Sequence, residues 1–349
     1  MQSQNHHLNE KKEVLLYEDL KERIFNTCGS AFEVDALRMF RFQYYNNSIY
    51  RQYCDALHVF PGKVYSILNI PFLPIELFKT QDVKTENKRL TGSDSRTFLS
   101  SGTTGQERSR HVVNDISIYE TSFHKCFEFF YGNIETYNFQ ALVPSYRENE
   151  QSSLIYMLNN MIAGTRMNGS GYYTGDPKQL EELIRSTVEK NKKIILFGVS
   201  YALLELAKKN SDSFRSLKGQ ILVMETGGMK GRHKEMIRAE LHEILCKGFD
   251  VERIHSEYGM TELLSQAYSN GNGIFRCPPW MRVMVRDTED PLSQVTKGRT
   301  GGINVIDLAN INSCCFVATQ DLGRIHEDES FEVVGRFDNS DIRGCNLLV

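Results

Sequence analysis

Apolar residues recur at helical spacing early in the chain and in short runs later, and this change of period predicts the architecture. Over 12–26, Val14, Leu15, Leu20 and Ile24 fall near 3.6-residue spacing and predict an amphipathic helix. Residues 31–58, rich in Tyr and Phe, predict further helix. Ile70-Pro71-Phe72-Leu73-Pro74-Ile75 cannot be regular helix, because prolines remove donors and restrict the residue before them. From about residue 96, short apolar runs alternate with helical patterns. Strands are predicted at Phe139–Val143, Ile194–Phe197, Ile221–Met224, Val251–Ser256, Arg282–Val285, Ile303–Ile306 and Cys315–Ala318, and helices at 115–130, 178–190, 201–209 and 232–246. Alternation from 139 to 256 predicts an α/β fold, a mixed or parallel sheet flanked by helices. The expected organisation is a helical N-terminal region, 1–95, packed on a core, 96–349. A further break near 275, at Cys277-Pro278-Pro279-Trp280, is also open. Trp280 and Cys314-Cys315 read as core.

Composition narrows the function classes. Hydrophobic residues make up 40% of the 349 positions and charged residues 24%, enough apolar material for a sizeable core. Lys+Arg 41 against Asp+Glu 44 lacks the basic excess of a nucleic-acid binder, so no nucleic-acid partner is expected. The polar start MQSQNHHLNEKKE is not a signal peptide, and no run approaches the ~20 apolar residues of a membrane span. None of the eight cysteines forms C-x-x-C or a zinc framework. Reduced thiols and a cytoplasmic location are the expectation.

The chemistry concentrates in a few segments. Ser100-Ser101-Gly102-Thr103-Thr104-Gly105 follows the strand-like Thr97-Phe98-Leu99. Its glycines permit close backbone approach, and its N–H and hydroxyl groups suit phosphate oxygens. Arg108, Arg110 and His111 follow as candidates to balance phosphate charge. The Walker spacing is absent, and alone the loop reads equally as an exposed turn. Ser256-Glu257-Tyr258-Gly259-Met260-Thr261-Glu262 combines an aromatic ring, a glycine, a hydroxyl and a carboxylate able to take Mg²⁺. Alone it reads as a capped strand-to-helix turn. Thr319-Gln320-Asp321-Leu322-Gly323-Arg324 offers a carboxylate suited to clamp a diol, or simply a turn.

In this order, and with Gly335-Arg336-Phe337-Asp338-Asn339 to Ile342-Arg343-Gly344 behind them, the segments resemble the adenylate-forming superfamily of acyl-CoA synthetases, peptide-synthetase adenylation domains and luciferases. The resemblance implies the superfamily's large N-terminal domain. It implies that Ser100–Gly105, with Thr104 among the catalytic groups, hold the phosphates of ATP. Tyr258 and Gly259 would meet adenine beside the Gly227-Gly228 turn, with Thr261 in the same motif. Glu262 would bind magnesium, Asp321 the ribose and Arg336 ribose or phosphate. Gln320 stands where the family usually has glycine. Ile70–Lys79 resembles the proline-turn segment of phenylacetate–CoA ligases. Against the superfamily pattern, the expectation is that the small C-terminal domain with its adenylation lysine is missing, and Arg108, Arg110, Lys230 and Arg336 are candidates to supply the charge.

A chain stopping just after the hinge motif is similar to the LuxE-type acyl-protein synthetases, which carry an acyl group on a cysteine near the C-terminus. Cys345 occupies that place here. The resemblance implies ATP and Mg²⁺ as cofactors, a fatty or other carboxylic acid as substrate, and a protein subunit that accepts or donates the acyl group. Walls for the acyl chain are expected from 139–146, 197–204 and 226–229. Three other readings stay open. One is direct loading of coenzyme A or a carrier protein, as in the phenylacetate–CoA ligases. Another is an α/β-hydrolase-like transferase using Ser200 in Gly198-Val199-Ser200-Tyr201-Ala202, which nearly spells a nucleophile elbow. The third is a scaffold without catalysis.

Overall fold

The computed structural model describes residues 16–86, 94–101, 107–144, 149–173, 193–209, 221–227 and 236–337, with isolated positions 176, 178, 185 and 219. Two compact units share the chain: Met1–Ser122, Thr261–Ser265 and Cys277–Val349 form the first, and Phe123–Met260 and Gln266–Arg276 the second.

In the first unit, helix α1 (16–24) leads to α2 (Ala31–Asn46) and α3 (Ser48–Ala56). The expected single helical stretch breaks at Asn47. Its backbone is extended, and its side chain accepts from Tyr50 N–H, so Asn47 caps α3. The proline segment is a short strand, β1 (Leu73–Pro74), before the single turn α4 (Leu77–Thr80). β2 (Arg96–Leu99) and β3 (Arg110–Val113) pair antiparallel. Helix α5 (Ile116–Tyr131) begins here and ends in the second unit. The late strands form an antiparallel ladder in the order β11 (Met281–Arg286), β12 (Gly301–Asp307), β13 (Phe316–Ile325), β14 (Phe331–Arg336). β1 adds parallel to the start of β13.

The N-terminal helices are tied to the turn before β13. Gln43 donates to the carbonyls of Asn310 and Ser313 and accepts from Cys315 N–H, all within the core. A buried amide satisfied on both sides fixes this contact better than apolar packing alone. Trp280 is core, as expected, with its ring edge-on to Phe25 and Nε1–H donating to Ser265 Oγ at 2.9 Å.

In the second unit, parallel strands run β5 (Gly171–Tyr172), β4 (Tyr137–Leu142), β6 (Lys193–Val199), β7 (Ile221–Thr226), β8 (His255–Tyr258); β9 (Ala267–Ser269) and β10 (Ile274–Arg276) continue antiparallel. All of β6 beyond Lys193 is buried, as a central parallel strand must be. Helices α6 (Ser153–Gly164), α7 (Ser200–Lys209) and α8 (Arg238–Phe249) belong to this unit.

Several boundaries differ from expectation. The strand predicted from Val251 starts only at His255, because Val251 N–H still bonds back to the Cys246 carbonyl beyond the left-handed cap at Asp250. β13 runs past Ala318 to Ile325, because β14 pairs with Asp321–Ile325. The described part of the 232–246 prediction becomes helical at Arg238. Among the described residues no helix is long and apolar enough to cross a membrane.

Candidate active site

In the first unit the Ser/Thr/Gly loop has a braced base. Ser100 N–H donates to the Ser109 carbonyl at 3.0 Å, Ser109 N–H donates to Ser100 Oγ at 2.9 Å, and Arg108 Nε donates to the Ser100 carbonyl at 2.5 Å. Ser101 is exposed beside this base. Gly102, Thr103, Thr104 and Gly105 lie outside the described residues, as do Gly228, Lys230 and Cys345.

The segment 261–265 is pinned from three sides. His111 Nδ1 lies 2.7 Å from the Thr261 carbonyl. Asn310 Nδ2 donates to the Glu262 carbonyl at 2.9 Å. Asp307 accepts from Leu264 N–H, Ser265 N–H and Ser265 Oγ at 2.6–2.9 Å. His111 was a candidate for phosphate charge, and the structure corrects this. The ring is fully buried; burial pushes its pKa down to about 4, against the pull of the Thr261 carbonyl. A carbonyl can only accept, so the neutral ring carries its proton on Nδ1. Its role is to hold the backbone next to Glu262. Arg110 is likewise engaged, 3.0 Å from Asp82.

Glu262 is buried, and burial raises its carboxyl above the usual range. A hydrogen bond with the Ser109 side chain and the charge of Arg336 act the other way, while Asp321 adds to the rise. Asp321 and Arg336 face each other across β13 and β14, Nε to Oδ1 3.2 Å. The loop base, Glu262 and the Asp321–Arg336 pair therefore converge from three distant stretches of chain. Gln320, the departure from the family pattern, donates to Glu76 Oε1 at 2.6 Å and so anchors β13 to the proline segment.

A magnesium ion suits this donor set. Among the described residues no group of three or more His, Cys, Asp or Glu could cage a metal unaided. Mg²⁺ is usually held by one or two carboxylates, with substrate phosphates and water completing the shell. A buried carboxylate whose own ionisation is opposed is a fitting first ligand.

In the second unit Tyr258 closes β8, buried, with its ring 5.9 Å from that of Phe275. Gly259 has a local reason beyond ligand access: a Cβ there would collide with Glu257 Oε1. Glu257 accepts from the Thr226 hydroxyl. Its carboxyl is pushed up to about 7 by burial, with Glu225 adding to the rise and Thr226 opposing it. Gly227 takes a positive φ of +71°, as the turn requires.

Ser200 does not have the setting of a nucleophile. Its buried hydroxyl lies 2.8 Å from both Glu225 Oε2 and the Gly227 carbonyl, so its one proton is already engaged by these acceptors. His242 instead lies 3.4 Å from Ser256 Oγ and 3.6 Å from Glu225. Among the described residues Ser200 has no histidine base, so the hydrolase reading is set aside.

Sequence reasoning missed Ser109 and Asn310, which bond Glu262, and Asp307, which holds the backbone just after it; none sits in a motif. The described cysteines are all free thiols, and only Cys28 among them is exposed. Burial pushes the Cys54 and Cys277 thiols up to about 12, which makes them poor nucleophiles.

In fold, the chain resembles the adenylate-forming acyl-CoA ligases. A structure of 2-hydroxyisobutyryl-CoA ligase with 2-HIB-AMP and CoA matches with a TM-score of 0.59 and 12% identity, covering 91% of this chain and 71% of that one. ATP-bound MatB from Rhodopseudomonas palustris matches with a TM-score of 0.51 and 17% identity over 69% of this chain and 47% of that one, so the chain spans less than half of MatB. In sequence, it is 25% identical over 350 residues to the long-chain-fatty-acid–luciferin-component ligase of Vibrio harveyi, covering 88% of this chain and 84% of that protein. Residues 175–349 match the family described as acyl-protein synthetase, LuxE, and the chain belongs to that family. The family is one of acyl-protein synthetases, and the fold is that of the acyl-CoA ligases.

Proposed function

We propose that this protein activates a long-chain fatty acid as acyl-AMP and passes the acyl group through Cys345 to a protein acceptor. The observation that carries the reading is the convergence of Glu262, Asp321 and Arg336 beside the braced base of the Ser/Thr/Gly loop. The V. harveyi relative, named as a fatty-acid ligase for a luciferin component, supports the choice of acid and of a protein acceptor.

In this reading Ser100, Ser101, Gly102, Thr103, Thr104 and Gly105 grip the phosphates through N–H and hydroxyl donors. Tyr258, Gly259 and the Gly227-Gly228 turn receive adenine, with Thr261 at the same segment. Asp321 accepts the ribose hydroxyls, and Arg336 neutralises charge on the phosphate side. Glu262 holds Mg²⁺, which when bound offsets the negative charge of the phosphates. A carboxylate oxygen of the acid attacks the α-phosphorus, and the bond to pyrophosphate breaks. Positioning and charge stabilisation supply the rate. The Cys345 thiolate then attacks the acyl carbonyl, the bond to AMP breaks, and a thioester remains for the acceptor.

The test is incubation with Mg-ATP and fatty acids of increasing length, followed by intact-protein mass and peptide mapping. An acyl increment at Cys345, absent in Cys345→Ser, is expected. ATP–pyrophosphate exchange with no acyl increment would transfer the second step to coenzyme A or a carrier thiol. An increment at Cys28 would move the carrier to that exposed thiol.

A further inference from the structure

The strand that carries Asp321 departs from regular pairing just where Asp321 sits. Between β12 and β13 the register runs Gly302 with Leu322 and Asn304 with Ala318. One residue of β12, Ile303, therefore opposes three of β13, Thr319, Gln320 and Asp321. Such a bulge bends a strand and re-aims its side chains, and it leaves backbone groups that the ladder no longer serves.

Arg286 serves them. It ends β11, in register with Gly302 on β12, and its side chain crosses that glycine to reach the bulge. Nη1 donates to the Ile303 carbonyl and to Asn304 Oδ1, each at 2.8 Å, and Nη2 donates to the Thr319 carbonyl at 2.5 Å. One rigid guanidinium thus ties carbonyls of both strands at the place where they part, a task that suits its planar fork and not a single ammonium. Gly302 makes room for it: a Cβ there would come within 2.6 Å of Cζ and 2.8 Å of Nε.

The rest of the bulge is held in turn. Thr319 Oγ1 donates to the Ile303 carbonyl at 2.9 Å and accepts from Asp321 N–H at 3.1 Å. The Gln320 carbonyl accepts from Phe337 N–H at 2.8 Å. The Phe337 ring lies 5.4 Å from Arg286 Cζ, so the same guanidinium also meets the residue after Arg336. Asn304 and Thr319 border a cavity of about 620 Å³. Water can reach the bulge from there when the guanidinium is removed, so variants at Arg286 are expected to fold while losing the aim of Asp321.

We propose that Arg286 is a positioning residue for the nucleotide: by fixing the bulge at 319–321 it sets the direction of the Asp321 carboxylate. The inference rests on the proposed role of Asp321 at the ribose hydroxyls.

The test is calorimetric binding of ATP and of 2′,3′-dideoxy-ATP to the full-length protein, with Mg²⁺ and no acid. The parent should prefer ATP at least about tenfold, the worth of a charge-assisted hydrogen bond to the diol, and Asp321→Ala should bind both alike. Arg286→Met should bring the two nucleotides within about threefold of each other, because a misaimed carboxylate no longer reads the diol. Arg286→Lys should do the same, since it keeps the charge without the fork. A merely structural role would weaken both nucleotides equally and leave their ratio at the parental value. That result in a folded Arg286→Met or Arg286→Lys protein would overturn the inference. If neither folds, Gly302→Ala decides by the same ratio: its methyl group displaces the guanidinium while every donor and acceptor stays in the chain. A parent that binds both nucleotides alike, or an Asp321→Ala protein that keeps the preference, would remove Asp321 from the ribose and the inference with it.

Discussion

Arg336 Nε lies 3.2 Å from Asp321 Oδ1, with the two residues in direct register on β14 and β13. The arginine side chain is 71% exposed, so the pair contributes little to folding. In the function proposed above, its use is to receive the nucleotide beside Glu262. Asp321→Ala should change unfolding free energy by less than about 1 kcal/mol. The same variant should raise KM for ATP roughly ten- to hundredfold, the loss of charge-assisted bonds to a diol. Urea unfolding and ATP–pyrophosphate exchange check both halves. An unchanged KM would remove Asp321 from the nucleotide site.

Glu262→Gln separates folding from catalysis in a second way. Burial already opposes ionisation of this carboxyl, so a neutral isostere leaves thermal stability equal or slightly higher. Magnesium-dependent exchange should fall roughly 10²-fold or more, as when a group stabilising developing charge is removed. Exchange at the parental rate would show that Glu262 is no magnesium ligand.

Asp307 is a positioning residue for the same segment. It is fully buried, and three of its hydrogen bonds come from Leu264 and Ser265 while a fourth comes from Ala309 N–H. Asp307→Ala strands several buried donors and should cost about 3–5 kcal/mol in urea unfolding. In Asp307→Asn, replacing one acceptor oxygen by a donor should cost about 2 kcal/mol. It should also lower exchange through misplacement of Glu262. An Asp307→Asn protein with parental exchange would show that the segment is held well enough by His111 and Asn310.

The parts that sequence could reveal are those whose signal is local. β6 is a continuous apolar run and could hardly be anything but a central strand. The motifs around Tyr258 and Asp321 carry their residue types within a few positions. Other parts depend on partners far along the chain. Thr319-Gln320-Asp321 reads as a turn until β14 pairs with it and draws it into a strand. His111 reads as a cation beside a phosphate loop until burial under Thr261 makes it neutral. Asp307 and Asn310 stand more than forty residues from the segment they hold, in a stretch that reads as an ordinary strand end. The fold class was therefore legible, while the groups that support the candidate site were not.

Two kinds of buried titrating group should give stability opposite dependences on pH. Burial lowers the pKa of His111 and of His255 to about 4 each. Below the ordinary histidine value the unfolded chain takes up protons that the folded chain refuses, so stability falls as pH drops. At pH 5 the loss is about 2 kcal/mol per histidine. Glu257 works in the other direction. With its folded pKa up to about 7, the folded chain holds a proton that the unfolded chain has released, and stability is lost as pH rises from about 4.5 through 7. Glu257→Gln mimics the protonated form at every pH. Urea unfolding at pH 5, 7 and 8 should then show the variant more stable than the parent at pH 8. It should also show a steeper loss between pH 7 and 5, since the histidine contribution is no longer offset. Parallel profiles for the two proteins would mean that Glu257 is ionised in the folded state across this range.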